Sequence, residues 1–203
     1  MAIVTDIREN RGTVEIEVEG AIIARVRKAH FARCPLSKGE EIDAPAYIDR
    51  LAAVQFPDGY EAALSSLDAS AKSAMELSRS LRRRGYVQPV VEAVVARLEE
   101  NGLIDDAGYA RRMAELQSAR PVGVYAFRRR LRAKGISDED AEEALGAFDD
   151  EQQQAAALAA ARKLYRKYEV LPEREARSKL SQALARRGFG WDAIESAIDQ
   201  LMD

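Results

Sequence analysis

The hydrophobic period changes part-way along the chain. Over TVEIEV, residues 13–18, polar positions alternate with Val14, Ile16 and Val18, the two-residue period of a strand that buries one face. ENRG before it and EG after it are turn-forming, so 3–8, 13–18 and 21–27 are predicted to form a three-stranded antiparallel meander. A short helix is predicted over 45–54. The proline and glycine of QFPDG, residues 55–59, are read as a break that closes this β-rich module at residue 58.

From Tyr60 onward the period is helical and the pattern repeats. Three related phrases, LRRRGY at 81–86, LRAKGI at 131–136 and LARRGF at 184–189, each place Leu, basic residues, Gly and a bulky apolar residue in order. Counting 6, 9, 10 and 13 positions beyond each glycine gives Val91, Val94, Val95 and Leu98, then Ala141, Ala144, Leu145 and Phe148, then Ile194, Ala197, Ile198 and Leu201. All are apolar at helical spacing, which marks a repeat architecture. Upstream of each glycine lies a second apolar stripe, Leu77 and Leu81, Phe127 and Leu131, or Leu180 and Leu184. A third stripe precedes it: Leu64 and Leu67, Tyr109 and Met113, or Leu158, Ala161, Leu164 and Tyr168.

The predicted fold is mainly α. Three tandem three-helix repeats, residues 59–104, 105–150 and 151–203, form an elongated solenoid-like array after the small N-terminal antiparallel β-meander with its short helix at 1–58. Gly85, Gly135 and Gly188 suit the left-handed position that ends a helix, where a Cβ clashes. Ser137 is placed to cap the following helix with Asp140 three positions on, Pro89 suits a first turn, and Asp105 or Asp106 precedes the helix carrying Tyr109.

Charge adds a second periodicity. Residues 111–134 hold eight Lys or Arg and one acidic residue, 136–151 hold eight Asp or Glu and no base, and no Lys or Arg follows Arg187. Each module is thus read as having a basic middle helix and an acidic last helix. Equivalent helices of a solenoid line one side, so Arg82, Arg83, Arg84, Arg128, Arg129, Arg130, Arg132, Lys134, Arg186 and Arg187 are the candidate contacts for an acidic partner. A helix-turn-helix that reads duplex DNA puts its last helix in the major groove. Acidic last helices argue against that, while weak DNA contact through the middle helices stays open.

The rest of the composition narrows the function class. A net charge of −3 confines any nucleic-acid contact to a local surface. One cysteine, Cys34, and one histidine, His30, leave no disulfide framework and no metal site. No nucleotide-binding loop, nucleophile elbow or zinc motif occurs, so no catalytic residue and no cofactor are expected, and the His30–Cys34 pair is read as structural. Trp191 and Tyr109 are assigned to the core or to repeat interfaces. MAIVTDIREN carries charges where a signal peptide carries its apolar segment, and AAALAAA is too short to span a bilayer, so a cytoplasmic monomer without membrane contact is expected.

The helical part resembles the RecX family. KSAMELSRSLRRRGY is similar to that family's first-repeat signature, NGLIDDAGYARRM to its central stretch, FRRRLRAKGI to the second-repeat signature and RSKLSQALARRGF to the third. The resemblance covers about residues 60–203, and the N-terminal meander looks like an extension that some members carry. It implies a non-enzymatic regulator that docks in the groove of the RecA–single-stranded DNA filament and inhibits or modulates RecA ATPase, filament extension and strand exchange in DNA repair and the SOS response. Pro121 and Val122 stand where further basic residues are expected. The rival expectation is a direct DNA-binding protein of tandem helical modules that competes for the single strand, which calls for stacking aromatics in a basic groove. The meander is expected to fold separately and to assist binding modestly through Arg25, Arg27 and Lys28.

Overall fold

The alternation of the first 27 residues folds as β1, Ala2–Asn10, β2, Thr13–Val18, and β3, Ala21–Arg27. Val14, Ile16 and Val18 are buried, and Ile7 faces Ile16 while Val14 faces Val26 across the antiparallel ladders. Two elements lie beyond the predicted meander. A short helix α1, Lys28–Arg33, follows β3, and the two-residue strand β4, Glu41–Ile42, pairs with β1, giving the order β3-β2-β1-β4. A two-residue strand carries no readable alternation. The structure, a computed structural model, describes residues 1–118, 122–146 and 148–202, and divides into two units, Met1–Asp105 and Asp106–Asp203.

In the first unit the predicted break at 55–59 is absent. Helix α2 runs without interruption over Ala44–Ala69, opened by Asp43, whose carboxylate accepts from the Ala46 amide at 3.1 Å. Pro57 inside a helix costs about 3 kcal/mol through a lost hydrogen bond and a ring clash. Here it sits on the exposed side, as does Ala53, whose carbonyl is the one deprived of a partner. The opposite face, Tyr47, Leu51, Gln55, Gly59 and Ala63, is buried at four-residue spacing, and that packing outweighs the local penalty. Gly59 is a close-packing position, since a Cβ there would lie 3.0 Å from Val90 Cγ1.

Helices α3, Ala74–Arg83, and α4, Gln88–Glu100, complete the first repeat, with Pro89 in the first turn of α4 as expected. Val4, Ile16 and Val26 of the sheet share one core with Tyr47, Leu51, Leu77, Leu81, Val91 and Leu98. The sheet is therefore not a separate folding unit, and a boundary at residue 58 falls inside α2. The buried amide of Gln55 ties the pieces together. It accepts from the Val87 amide at 2.9 Å and donates to the Gly85 carbonyl at 3.0 Å, while also lying 3.2 Å from His30 Nδ1.

The second unit holds two complete repeats. One is α5, Asp106–Ser118, α6, Val124–Ala133, and α7, Asp138–Leu145; the other is α8, Asp150–Tyr165, α9, Glu173–Arg186, and α10, Trp191–Met202. The predicted stripes point inward: Phe127, Leu131, Ala141, Ala144 and Leu145 are buried in one core, and Leu180, Leu184, Ile194, Ala197 and Ile198 in the other. Ser137 caps α7 as predicted, accepting from the Asp140 amide at 3.0 Å. In α5 the deepest positions are Ala110 and Ala114, one residue beyond the predicted Tyr109 and Met113, which are partly buried. Trp191, at the first residue of α10, is 68% exposed and so lies outside the core; of the two positions expected for it the repeat interface remains, since it lines a recess with Val124 and Tyr125 of α6. Pro121 lies outside the described residues, and Val122 is half-buried.

Gly85, Gly135 and Gly188 have φ of +85°, +82° and +82°, the left-handed caps that the repeated phrase requires. Two of them do more than cap. A Cβ on Gly188 would lie 2.2 Å from the Ala126 nitrogen, because the start of α6 rests directly on this turn. The Gly123 amide donates to the Arg187 carbonyl at 3.2 Å, and the Tyr125 amide to the Gly188 carbonyl at 3.0 Å. In the first unit, Gly85 seats against β3, where a Cβ would be 3.3 Å from the Arg25 carbonyl oxygen.

Candidate partner-binding surface

Each seated glycine brings a second set of arginines beside the phrase. In the first unit, the turn before Gly85 presents Arg82, Arg83 and Arg84, and β3 presents Arg25 and Arg27 two residues apart, on the face opposite buried Ala24 and Val26. With Arg11, Gly12 and Thr13 of the β1–β2 turn they line one recess of about 740 Å³. Arg27 is fixed in place: its Nε donates to the Arg84 carbonyl at 3.1 Å and its guanidinium lies 5.6 Å from the centre of the Tyr86 ring. Arg25 pairs with Glu15. Among the described residues Arg82, Arg83 and Arg11 have no ion-pair partner.

In the second unit the α6–Gly188 seat brings the start of α6 against the end of α9. Arg129 and Arg130 of α6 and Arg186 and Arg187 at the end of α9 line a groove of about 420 Å³ with Val122, Ala126 and Ala133. Arg129, Arg186 and Arg187 are exposed and have no ion-pair partner among the described residues.

The other three predicted contacts lie elsewhere on α6 and its cap. Arg128 pairs with Glu142 at 2.5 Å, has a side chain 30% exposed and lies 5.9 Å from the centre of the Tyr125 ring. Arg132 binds Asp138 at 2.7 Å; this hydrogen bond and its charge raise the guanidinium pKa and lower that of the carboxyl. Lys134 is half-buried, 5.2 Å from the centre of the Tyr109 ring. Arg128 and Arg132 bind the basic middle helix to its acidic neighbour α7, which is one physical reason for the charge segregation, while Lys134 packs on Tyr109 of α5. The sequence reading grouped them with the groove because a charge run does not reveal which side of a helix a neighbour covers. Arg11 was missed outright, whereas Arg25 and Arg27 of β3 were expected to contribute only modestly and stand in the recess itself.

The single histidine is structural. His30 is 3% exposed, with Nε2 3.0 Å from Asp58 and Nδ1 against Gln55. Cys34 lies in the turn after α1, and its carbonyl accepts from the Tyr47 hydroxyl at 2.9 Å. Among the described residues no group of three or more His, Cys, Asp or Glu side chains is placed to hold a metal ion, and no helix is long and apolar enough to cross a membrane.

Comparison with known proteins decides the lineage. Residues 60–98, 105–145 and 150–198 match the models of the first, second and third three-helix domains of RecX. The chain belongs to the RecX family. The regulatory protein RecX of Bacillus subtilis is 30% identical over 82% of this chain, and the chain spans 63% of that relative's length. The regulatory protein RecX of Limosilactobacillus reuteri is 28% identical over 97% of this chain and 75% of its own. A crystal structure of regulatory protein RecX superposes with a TM-score of 0.69 at 28% identity, covering 98% of this chain and all of the other. A RecX structure from Lactobacillus salivarius gives 0.66 at 28% identity over 73% of this chain and 97% of the other. The three matched RecX segments correspond to the end of α2 with α3 and α4, to α5–α7, and to α8–α10, so Arg82–Arg84, Arg129, Arg130, Arg186 and Arg187 lie on or just after middle helices of the family's own repeats, while Arg11, Arg25 and Arg27 lie outside the matched segments.

Proposed function

We propose that this RecX-family chain is a cytoplasmic, monomeric, non-enzymatic regulator that binds the RecA–single-stranded DNA filament and lowers RecA ATPase, filament extension and strand exchange in DNA repair and the SOS response. One observation carries the reading. A chain of net charge −3 gathers two arginine-lined concavities, each beside a seated phrase glycine, and a surface of that sign suits an acidic polymeric partner. Membership of the RecX family supports RecA as that partner.

The test is RecA's DNA-dependent ATPase and strand exchange with the full chain in several-fold excess. Inhibition is expected; unchanged turnover rejects the reading. Arg129, Arg186 and Arg187 replaced together by Glu reverse three unpaired charges in one groove, and should weaken filament binding by about 2–4 kcal/mol at low salt. The rival reading, a protein that captures the single strand by stacking, is less well supported because among the described residues neither arginine-lined concavity has an aromatic side chain in its wall. Co-sedimentation separates the two by preference: the regulatory reading requires binding to preformed filaments well above binding to the same DNA alone, and the rival reading does not.

A further inference from the structure

The recess of the first unit differs from the groove of the second in what its walls lack. Its lining residues are Arg11, Arg25, Arg27, Arg82, Arg83 and Arg84 with Gly12, Thr13 and Gly85: among the described residues no lysine, no carboxylate, and no aliphatic or aromatic side chain lines it. Protein interfaces anchor Trp, Tyr and Arg side chains in well-packed, desolvated pockets, and this recess offers arginines without the apolar surround that would desolvate them. Guanidinium forks without that surround match phosphate oxygens, which need charge and bidentate hydrogen bonding and nothing else. Gly12 has positive φ and open surroundings, so a strand can approach the backbone closely there. Arg27 is held ready by the Arg84 carbonyl and the Tyr86 ring, which lowers the cost of ordering it on binding.

We infer that this recess is a phosphodiester site: it holds the backbone of a nucleic acid strand through its phosphates, without contact to the bases. The inference rests on the reading of the recess as part of the contact surface, and it deepens that reading by giving this recess a nucleic acid, not a protein, as ligand. It needs no filament, so it is tested on naked DNA. Backbone-only recognition has a specific signature. Binding is indifferent to sequence, and the logarithm of affinity falls linearly with the logarithm of salt concentration, by about 0.7 per phosphate neutralised on a single strand.

The experiment is fluorescence anisotropy of a labelled oligo-dT strand with the full chain across a salt series, for the wild type and for the combined variant Arg11→Gln, Arg82→Gln and Arg83→Gln. These side chains have no ion-pair partner among the described residues, and matching circular dichroism melts verify the fold. The variant is expected to bind on the order of tenfold or more weakly at low salt, with a salt slope shallower by about 2, one increment of 0.7 for each arginine removed. Unchanged affinity and slope on oligo-dT overturn the proposal. So does an unchanged response to oligo-dT with weakened binding to labelled polyglutamate, which assigns the recess to an acidic protein. A changed DNA slope in a chain that leaves RecA ATPase untouched upholds the site and rejects only the regulatory reading.

Discussion

The same phrase is seated at Gly85 and at Gly188, and the two seats differ in what they demand. At Gly188 glycine is required twice over. Positive φ excludes a side chain by conformation, and the start of α6 excludes it by contact, with the reciprocal Gly123 Cβ position only 2.0 Å from the Gly188 carbonyl oxygen. At Gly85 the neighbouring strand leaves ordinary, slightly tight contact, so φ alone makes the demand. The surrounding cores differ in the same sense. The first unit packs Val, Leu, Ile and Tyr against a sheet, whereas the last repeat is closed by Ala157, Ala160, Ala161, Ala183 and Ala197, small side chains that bring backbones together. Close backbone approach is how helices without a sheet build a seat.

Substitution should expose that contrast. Gly188→Val combines left-handed strain with overpacking and is expected to cost on the order of 4 kcal/mol, seen as a large drop in melting temperature and loss of cooperative unfolding. Survival with a near-native melt contradicts the double requirement. Gly85→Ala carries the conformational penalty alone and should cost about 1–2 kcal/mol; a loss as large as at Gly188 would make the two seats equivalent.

The first unit should also be distinguishable by pH. Burial raises the pKa of Tyr47, and likewise that of Tyr86, above the usual phenol value of about 10. A raised folded-state pKa means the neutral form stabilises the fold below the unfolded value, and that stability declines as pH climbs from about 10 toward the folded one. Tyr47→Phe should cost about 1–2 kcal/mol at neutral pH through the lost bond to the Cys34 carbonyl, yet lose stability less steeply above pH about 10. Denaturant titrations at pH 7 and above 10 check both halves, and an unaltered alkaline slope speaks against a buried, neutral phenol. Smallest is the cap of α7: Ser137→Ala should lower stability by about 1 kcal/mol, and less if the Arg132–Asp138 pair holds the first turn unaided.

Local regularities were legible in the sequence. Period-two alternation located the three main strands, and the recurring apolar positions located the helices of each repeat, because both follow from which side of an element is covered. QFPDG misled because a proline and a glycine were weighed as breakers without knowing their sides: Pro57 faces solvent, and Gly59 is the small residue that a helix crossing needs. Trp191 was left between core and repeat interface, since size and apolarity do not say whether a helix start is covered. Of the ten candidate contacts, the charge run identified residue types but not direction. Arg128, Arg132 and Lys134 turned to partners within their own repeat, while Arg82–Arg84 gained company from strands far away in sequence.

The unbroken course of α2 has a consequence for inheritance and for engineering. A cut after residue 57 leaves half a helix on each side and takes with it Gln55, the amide that holds both the Gly85 carbonyl and the Val87 nitrogen. The strands and the first repeat can therefore be exchanged between relatives only as one cassette, and chimaeras joined between residues 55 and 59 should misfold where those that carry the whole of 1–105 keep their first core intact.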